Sequence, residues 1–413
     1  MNGKIKILII SHALVSDVNQ KRWERLAKDN NYEVNLLIPK YWESNWFKEK
    51  IIYEPKEIRS KDYNIYTLNT TSKSKWTRYF FKSFSLKLNK IKPDLIYIIQ
   101  EESIWVHHQI YLARKFFAPK AKIIFFSMNA LGMTYEKTNN VLFKFILKLM
   151  WNNIKRNTEA ALVHYPGCMD SLRKGGYNKP IYLQTQIGVD ETLFTTSNDV
   201  REEYRKKLNY NSKFVIGYSG RLTAAKGVDD LFEVFCRLSK EHKDIALLLV
   251  GNGDLKESIE KGVIQLNLQN RVHITGFVDQ SEVPKYMNAM DCFVLGSKTT
   301  TNWIDTFPLV TVQAQACGLP VIASNSGSIP WQLDNSAIIY SEGNREELSR
   351  AIIEFVECDN LRIKYAQIGQ KRSNEYFCHG GMTQNFKKIV EQIMEHNYFY
   401  HNKEEEYKQW KAY

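Results

Sequence analysis

Short runs of Ile, Val, Leu and Phe recur along the chain with little polar alternation between neighbours. In the first half they occupy residues 5–11, 34–39, 94–99, 122–127 and 160–165. In the second they occupy 214–220, 245–251, 272–277, 292–297, 319–325 and 337–341. Continuous apolar runs of this length are how strands buried on both faces of a parallel sheet read. The stretches between them have helical spacing, clearest at 228–238 and 308–317. Alternating strand and helix predicts α/β units with right-handed crossovers. Two such arrays predict two doubly wound, Rossmann-like domains.

The break between the arrays falls near residues 184–200, where a small polar stretch, TTSNDV, follows IGVDETLF. The expected domains are therefore 1–190 and 200–380. Helices are predicted at 346–356 and 361–376, with another at 382–395 beyond Gly380 and Gly381. The chain end, about 382–413, is expected to rejoin the first domain. No repeat or low-complexity tract is present.

A chain of 413 residues suits two domains with real cores. No stretch reaches the roughly 18 uncharged apolar residues of a membrane helix; the run 141–151 is interrupted by Lys144 and Lys148. The N-terminus runs straight into a strand, unlike a signal peptide, so a cytoplasmic protein is expected. Six cysteines without a CxxC pair read as reduced structural thiols, and no metal site is expected. Charge changes the picture more. Residues 1–190 carry 31 Lys+Arg against 16 Asp+Glu, and the remainder 26 against 29. The excess cations belong to the first half and point to an anionic partner there.

Three pieces of the second half suggest an anion site. In GYSGRLTAAKG, residues 217–227, a strand ends at Gly220, and Arg221 and Lys226 precede a helix. Open α/β sheets bind ligands at that carboxyl edge. Helix N-termini favour phosphate, and a guanidinium fork with an ammonium suits a diphosphate. Taken alone, both are ordinary cations of a βα loop. VGNGDL, residues 250–255, places Gly251 and Gly253 at the next strand end; a lone GxG is commonly just a tight turn. The third piece is residues 301–330. Pro308 reads as the first helical position with Thr306 as cap, and Gly318 and Pro320 close the helix. Amides near Leu309 and Val310 would face a phosphate, beside Phe307.

At these residues the chain resembles the retaining glycosyltransferases of family 4, the group 1 glycosyl transferases. The matching elements are GRLTAAKG, VGNGDL, VHITGFV with Phe277 and Val278, the strand before GS, and DTFPLVTVQAQACGLPVIASNSGSIP. IGVDETLF is similar to the family's linker, and IKILIISH, NYEVNLLIP and KPDLIYII fit the first half more loosely. The resemblance implies the GT-B fold: two Rossmann-like parallel-sheet domains facing a central cleft. It implies that Arg221 and Lys226 bind the diphosphate of a nucleotide-sugar donor. Two family glutamates, one at the donor sugar and one at the ribose, align with Asp305 and Gln313; both differ from Glu. A neutral Gln still accepts a ribose hydroxyl, at a cost on the order of 1 kcal/mol. Asp305, the implied catalytic position, keeps its charge but is one methylene shorter.

The family often has a glycine pair in the first loop. Residues 11–23 here have none, and Asn19 and Gln20 are candidate contacts, with Lys21 and Arg22 read as the exposed start of a helix. Glu101, Glu102 and Asn129 follow first-domain strands and are candidate acceptor contacts; His107 and His108 read as helix-surface residues. The resemblance implies no metal and no cofactor beyond the donor. The acceptor would be a saccharide or a lipid-linked molecule. Residues 71–92 hold seven cations, no acid, and Trp76, Phe80, Phe84 and Leu88 every four residues. That is either a domain helix packing its stripe or an interfacial segment on an anionic membrane. The competing class is a non-catalytic binding or partner subunit. A nucleic-acid role lacks any signature motif and none is expected, and a nicotinamide enzyme lacks its glycine fingerprint.

Overall fold

Side chains buried on both faces hold the apolar runs in two parallel sheets. The computed structural model describes residues 3–44, 51–75, 79–99, 104–128, 139–301 and 303–395. The chain forms two units. One comprises the described residues up to Gln186 and again from Met382; the other is Ile187–Gly381.

The first unit contains β1 (Ile5–Ile10), β2 (Tyr32–Pro39), β3 (Trp42–Ser44), β4 (Ile51–Tyr53) and β5 (Ile58–Arg59). It continues with β6 (Tyr63–Leu68), β7 (Leu95–Ile98), β8 (Lys122–Ser127), β9 (Ala160–Val163) and β10 (Ile181–Leu183). β3 and β4 pair separately. The rest form one sheet in the order β10-β9-β8-β7-β1-β2-β6-β5, parallel except for the edge pair β5 and β6. The strand order reverses between β1 and β7. Its helices are α1 (Lys21–Ala27), α2 (Phe84–Ile91), α3 (Ile104–Phe117), α4 (Val141–Asn157) and α5 (Pro166–Lys174).

The second unit follows the β/α rhythm closely. In chain order it has α6 (Asn198–Lys207), β11 (Phe214–Ser219), α7 (Val228–Glu241), β12 (Ile245–Val250) and α8 (Lys256–Gln265). Then come β13 (Val272–Ile274), α9 (Val283–Asn288), β14 (Cys292–Leu295), α10 (Leu309–Ala316) and β15 (Val321–Ser324). α11 (Ile329–Leu333), β16 (Ala337–Tyr340), α12 (Arg345–Glu357) and α13 (Asp359–Arg372) complete it, and α14 (His379–Met394) starts at its end and continues into the first unit. Six parallel strands run in the order β13-β12-β11-β14-β15-β16. β12 is buried along its whole length. Val228, Leu231, Val234, Phe235 and Leu238 of α7, spaced at helical period, are buried with it in one core.

From Met382 on, α14 packs in the first unit. The Phe386 ring meets Trp23 edge-on at 5.2 Å and Tyr97 at 5.4 Å, and Lys387 pairs with Asp29 at 2.5 Å. The helix starts at His379, earlier than the glycines suggested. A Cβ on Gly381 would stand 2.1 Å from Glu375 O, so glycine lets the helix begin against the preceding turn. The chain beyond residue 395 lies outside the described residues.

Three local readings change. The pattern at 71–92 predicts a longer helix than α2. Ser83 adopts a left-handed conformation (φ 59°) and breaks it, and Phe81 pairs as a bridge with Thr70. Phe84 and Leu88 are buried in the core, Phe80 precedes the helix, and Trp76 lies outside the described residues. Arg22 is buried, not exposed: its guanidinium lies 4.0 Å over Trp23 and donates to Thr185 O and Gln186 O at 2.7 and 3.2 Å. Burial pushes its pKa down to about 10. His107 is also buried, with Nδ1 2.9 Å from the Tyr111 hydroxyl.

Candidate functional site

In the second unit the chain steps outward from β11 to β12 and β13, then returns to the other side of β11 through β14. Loops leaving the carboxyl ends of β11 and β14 therefore diverge, and open α/β sheets carry their ligand site at such a point. These two loops hold Arg221 and Lys226 on one side and Trp303 and Asp305 on the other.

The first loop is fixed by close backbone approach. Gly227 sits in the left-handed region (φ 65°), and a Cβ there would stand 1.9 Å from Gly296 O at the end of β14. Gly251 has φ 144°, and its Cβ would stand 1.9 Å from Gly220 O. Leu222 N donates to Asn252 O, and Leu255 N to Leu222 O, both at 2.9 Å. Gly251 and Gly253 thus serve to seat the VGNGDL turn against the Arg221 loop. The Tyr218 hydroxyl donates to Arg221 O at 2.7 Å. Burial, with the Asp305 charge nearby, pushes this phenol's pKa up, so it stays a donor.

Lys226 and Asp305 meet directly. The ammonium donates to both carboxylate oxygens at 2.7 Å, and the Ser297 hydroxyl donates to Oδ2. Asp305 is buried and its backbone is built in as well: its carbonyl accepts the Ser328 amide at 2.9 Å, under Gly327. The short acid is therefore drawn back onto Lys226. Arg221 is exposed, and among the described residues no carboxylate pairs with it. It is the cation of this loop available to an anion.

Trp303 joins them and was not singled out in the sequence. Its ring lies 5.2 Å from Arg221 Cζ and 5.2 Å from Lys226 Nζ. It is 37% exposed, and paired backbone hydrogen bonds between Thr300 and Trp303 hold it in a tight turn. Cation–π attraction to two cations fixes the ring over both. The signal was slight: one Trp in a polar stretch has no period to reveal it.

The helix after β14 begins at Leu309. Pro308 is its N-cap (φ −72°, ψ 93°), not its first helical residue, and no side chain caps it, Thr306 included. The amides of its first turn, Leu309 and Val310 among them, have no intrahelical partner and carry the positive end of the dipole. Phe307 packs on Phe377 at 5.6 Å. Gln313 lies on the first two turns of this helix and is buried. Phe277 is 73% exposed at the carboxyl edge of β13, where Gly276 bridges to Gly251, and Val278 is packed on the core beside it.

The N-terminus of α7, expected to favour phosphate, already holds acids. Lys298 pairs with Asp229 at 3.1 Å and Asp230 at 2.6 Å, and Arg345 with Asp230 at 2.7 Å. Positive charge for a ligand comes from Arg221, Lys226 and the start of α10 instead.

In the first unit, Asn19 and Gln20 lie in the loop after β1, at the other strand-order reversal. Both amides brace that loop: Asn19 donates to Ala13 O at 2.8 Å and Gln20 to Leu14 O at 2.7 Å. Gln20 is buried by this. Glu101, Glu102 and Asn129 lie outside the described residues. Asp190, Glu191 and His379 offer ligand atoms within 4.8 Å of one another. Asp190 there accepts the Thr192 amide and hydroxyl at 3.1 and 2.6 Å, as a turn does without an ion.

Residues 200–372 match the family model described as glycosyl transferases group 1. Spore coat protein SA of Bacillus subtilis is 25% identical over 223 residues, 52% of this chain and 58% of that protein. The GDP-mannose-dependent monoacylated alpha-(1-6)-phosphatidylinositol monomannoside mannosyltransferase of Corynebacterium glutamicum is 27% identical over 183 residues, 43% and 48% of the two chains. The chain thus spans about half the length of these curated relatives. The structure of Anabaena Alr3699/HepE in complex with UDP superposes with a TM-score of 0.66 at 18% identity, over 94% of this chain and all of that one. That likeness establishes the GT-B fold class.

Proposed function

We propose, from the premise that residues 200–372 belong to the group 1 glycosyl transferases, that the protein is a retaining glycosyltransferase. It moves a sugar from a nucleotide diphosphate donor to a saccharide or lipid-linked acceptor, in making a cell-surface polysaccharide or glycolipid. The observation that carries this reading is the Arg221–Lys226–Trp303 constellation at the strand-order reversal of the second unit.

In this reading the diphosphate lies against Arg221, Lys226 and the first turn of α10. Fixed positive groups there stabilise the charge that develops as the sugar leaves. The bond from the anomeric carbon to the phosphate oxygen breaks, and the acceptor oxygen bonds to that carbon on the same face. The acceptor proton passes to the departing phosphate oxygen. Asp305, held by Lys226 and Ser297, orients the ammonium and reaches the donor sugar only by exchanging one of those contacts. Gln313 takes the ribose hydroxyls, and Phe277 and Val278 line the nucleoside side. No cofactor besides the donor is invoked.

The cation excess of residues 1–190 supports an anionic or membrane-bound acceptor. The Corynebacterium relative is named for a lipid substrate, a phosphatidylinositol monomannoside. Among the described residues no helix is long and apolar enough to cross a membrane; the contact proposed here is peripheral, at the inner face. The outward cations of residues 71–92 would then meet anionic headgroups.

A panel of UDP-, GDP- and dTDP-sugars incubated with the protein and candidate acceptors tests the reading through nucleoside diphosphate release. A non-catalytic binding subunit is the second reading, favoured by the engaged Asp305 and the neutral Gln313. It is selected if a donor binds but none turns over, and excluded if Gln313→Glu raises turnover of the same donor.

A further inference from the structure

α4 is apolar on two opposite faces. Leu147, Met150, Trp151 and Ile154 recur at helical spacing and are buried, and the Trp151 indole donates to Gly175 O at 2.7 Å. On the other side Val141, Leu142, Phe145, Ile146 and Leu149 stand exposed, Val141 at 83% and Phe145 at 58%. A surface helix ordinarily turns polar residues outward, and a contiguous exposed apolar stripe marks a contact surface. Asn140 caps the helix, accepting from Phe143 N at 2.9 Å, so the stripe begins on a well-formed turn.

The charge on α4 narrows the partner. At about 100° per residue, Lys144, Lys148 and Lys155 fall in one row along an edge of the apolar stripe. The helix contains these lysines and Arg156 and no acid. The neighbouring α3, which packs beside α4, adds exposed Leu112 and Phe116, one turn apart, with Arg114 and Lys115 and again no acid. A second copy of the chain placed face to face would bring lysine row against lysine row with no acid of α4 to match them. An anionic bilayer meets both features: acyl chains take the stripe and headgroups take the row.

We propose that the outward face of α4 docks the protein onto anionic lipid, with the helix lying in the plane of the headgroups. This rests on the membrane-proximal reading above but moves the apolar contact away from residues 71–92, whose Phe84 and Leu88 are buried.

Flotation of the full chain with phosphatidylcholine vesicles, with and without phosphatidylglycerol, tests it. The wild type should float only with the anionic vesicles. Phe145→Ser/Leu149→Ser and Lys144→Glu/Lys148→Glu should each cut the bound fraction about tenfold or more, given what each buried apolar side chain contributes. Their circular dichroism and nucleotide-sugar binding should be those of the wild type. Lys82→Glu/Lys90→Glu, in the 71–92 segment, should weaken flotation less than either α4 variant. If the α4 variants float normally and the 82/90 variant does not, membrane contact stands and the α4 assignment falls. If the wild type ignores anionic vesicles, both fall. A wild-type dimer in sedimentation, lost in Phe145→Ser/Leu149→Ser without vesicle binding, would give the face to a second copy and overturn the proposal.

Discussion

At the scale of residues, the site is a small set of charges whose partners are unequal. Arg221 is exposed and pairs with no carboxylate among the described residues, while Lys226 is held by both oxygens of buried Asp305. The two cations therefore differ in what their loss does. Arg221→Ala should leave stability unchanged and cost donor affinity about tenfold or more. Lys226→Ala should cost affinity and also destabilise the second unit by about 2 kcal/mol, because it leaves a buried carboxylate without its cation. Lys226→Ala/Asp305→Asn should recover part of that loss, and a thermal-denaturation double-mutant cycle measures it. Equal stability of Lys226→Ala and wild type would contradict the pairing. The sequence exposed both cations, since their spacing before a helix has a chemical meaning. It could not expose Trp303, or the burial of Arg22, which depends on carbonyls at Thr185 and Gln186 far along the chain.

The elements were legible where a period is strong. The six strands of the second unit and α7 follow from apolar runs and 3.6-residue spacing. The sequence predicts a longer helix than α2 because its every-fourth apolar pattern continues upstream through Phe80, whereas the backbone turns at Ser83. The role of the VGNGDL glycines was hidden for a different reason. Gly251 reads as a ligand contact by motif, but the contact it permits is with Gly220 of the neighbouring loop. Gly251→Ala must therefore place a Cβ on a carbonyl at a φ that L residues rarely adopt. It should destabilise the second unit by about 3 kcal/mol or more and displace the Arg221 loop. Urea denaturation checks the first effect and nucleotide titration the second; a wild-type midpoint would remove this account of the loop.

At the scale of the molecule, acid should weaken the fold before its carboxylates titrate. His164 is buried behind β9, and burial pushes its pKa from 6.5 down to about 3. The unfolded chain binds that proton near pH 6.5 and the folded chain does not. Unfolding therefore takes up a proton between these values, and stability falls as pH drops through the window. The slope from this group is at most about 1.4 kcal/mol per pH unit. His164→Phe should flatten the dependence of Tm on pH between 6.5 and 4.5; an unchanged slope would assign it elsewhere. The larger claim is that the second unit holds the diphosphate of a nucleotide sugar. Calorimetric titration of UDP- and GDP-sugars into wild type and Arg221→Ala tests it most directly. The account predicts saturable binding of at least one donor, weakened about tenfold or more by the substitution. Binding of no donor, or equal binding by both proteins, would contradict it.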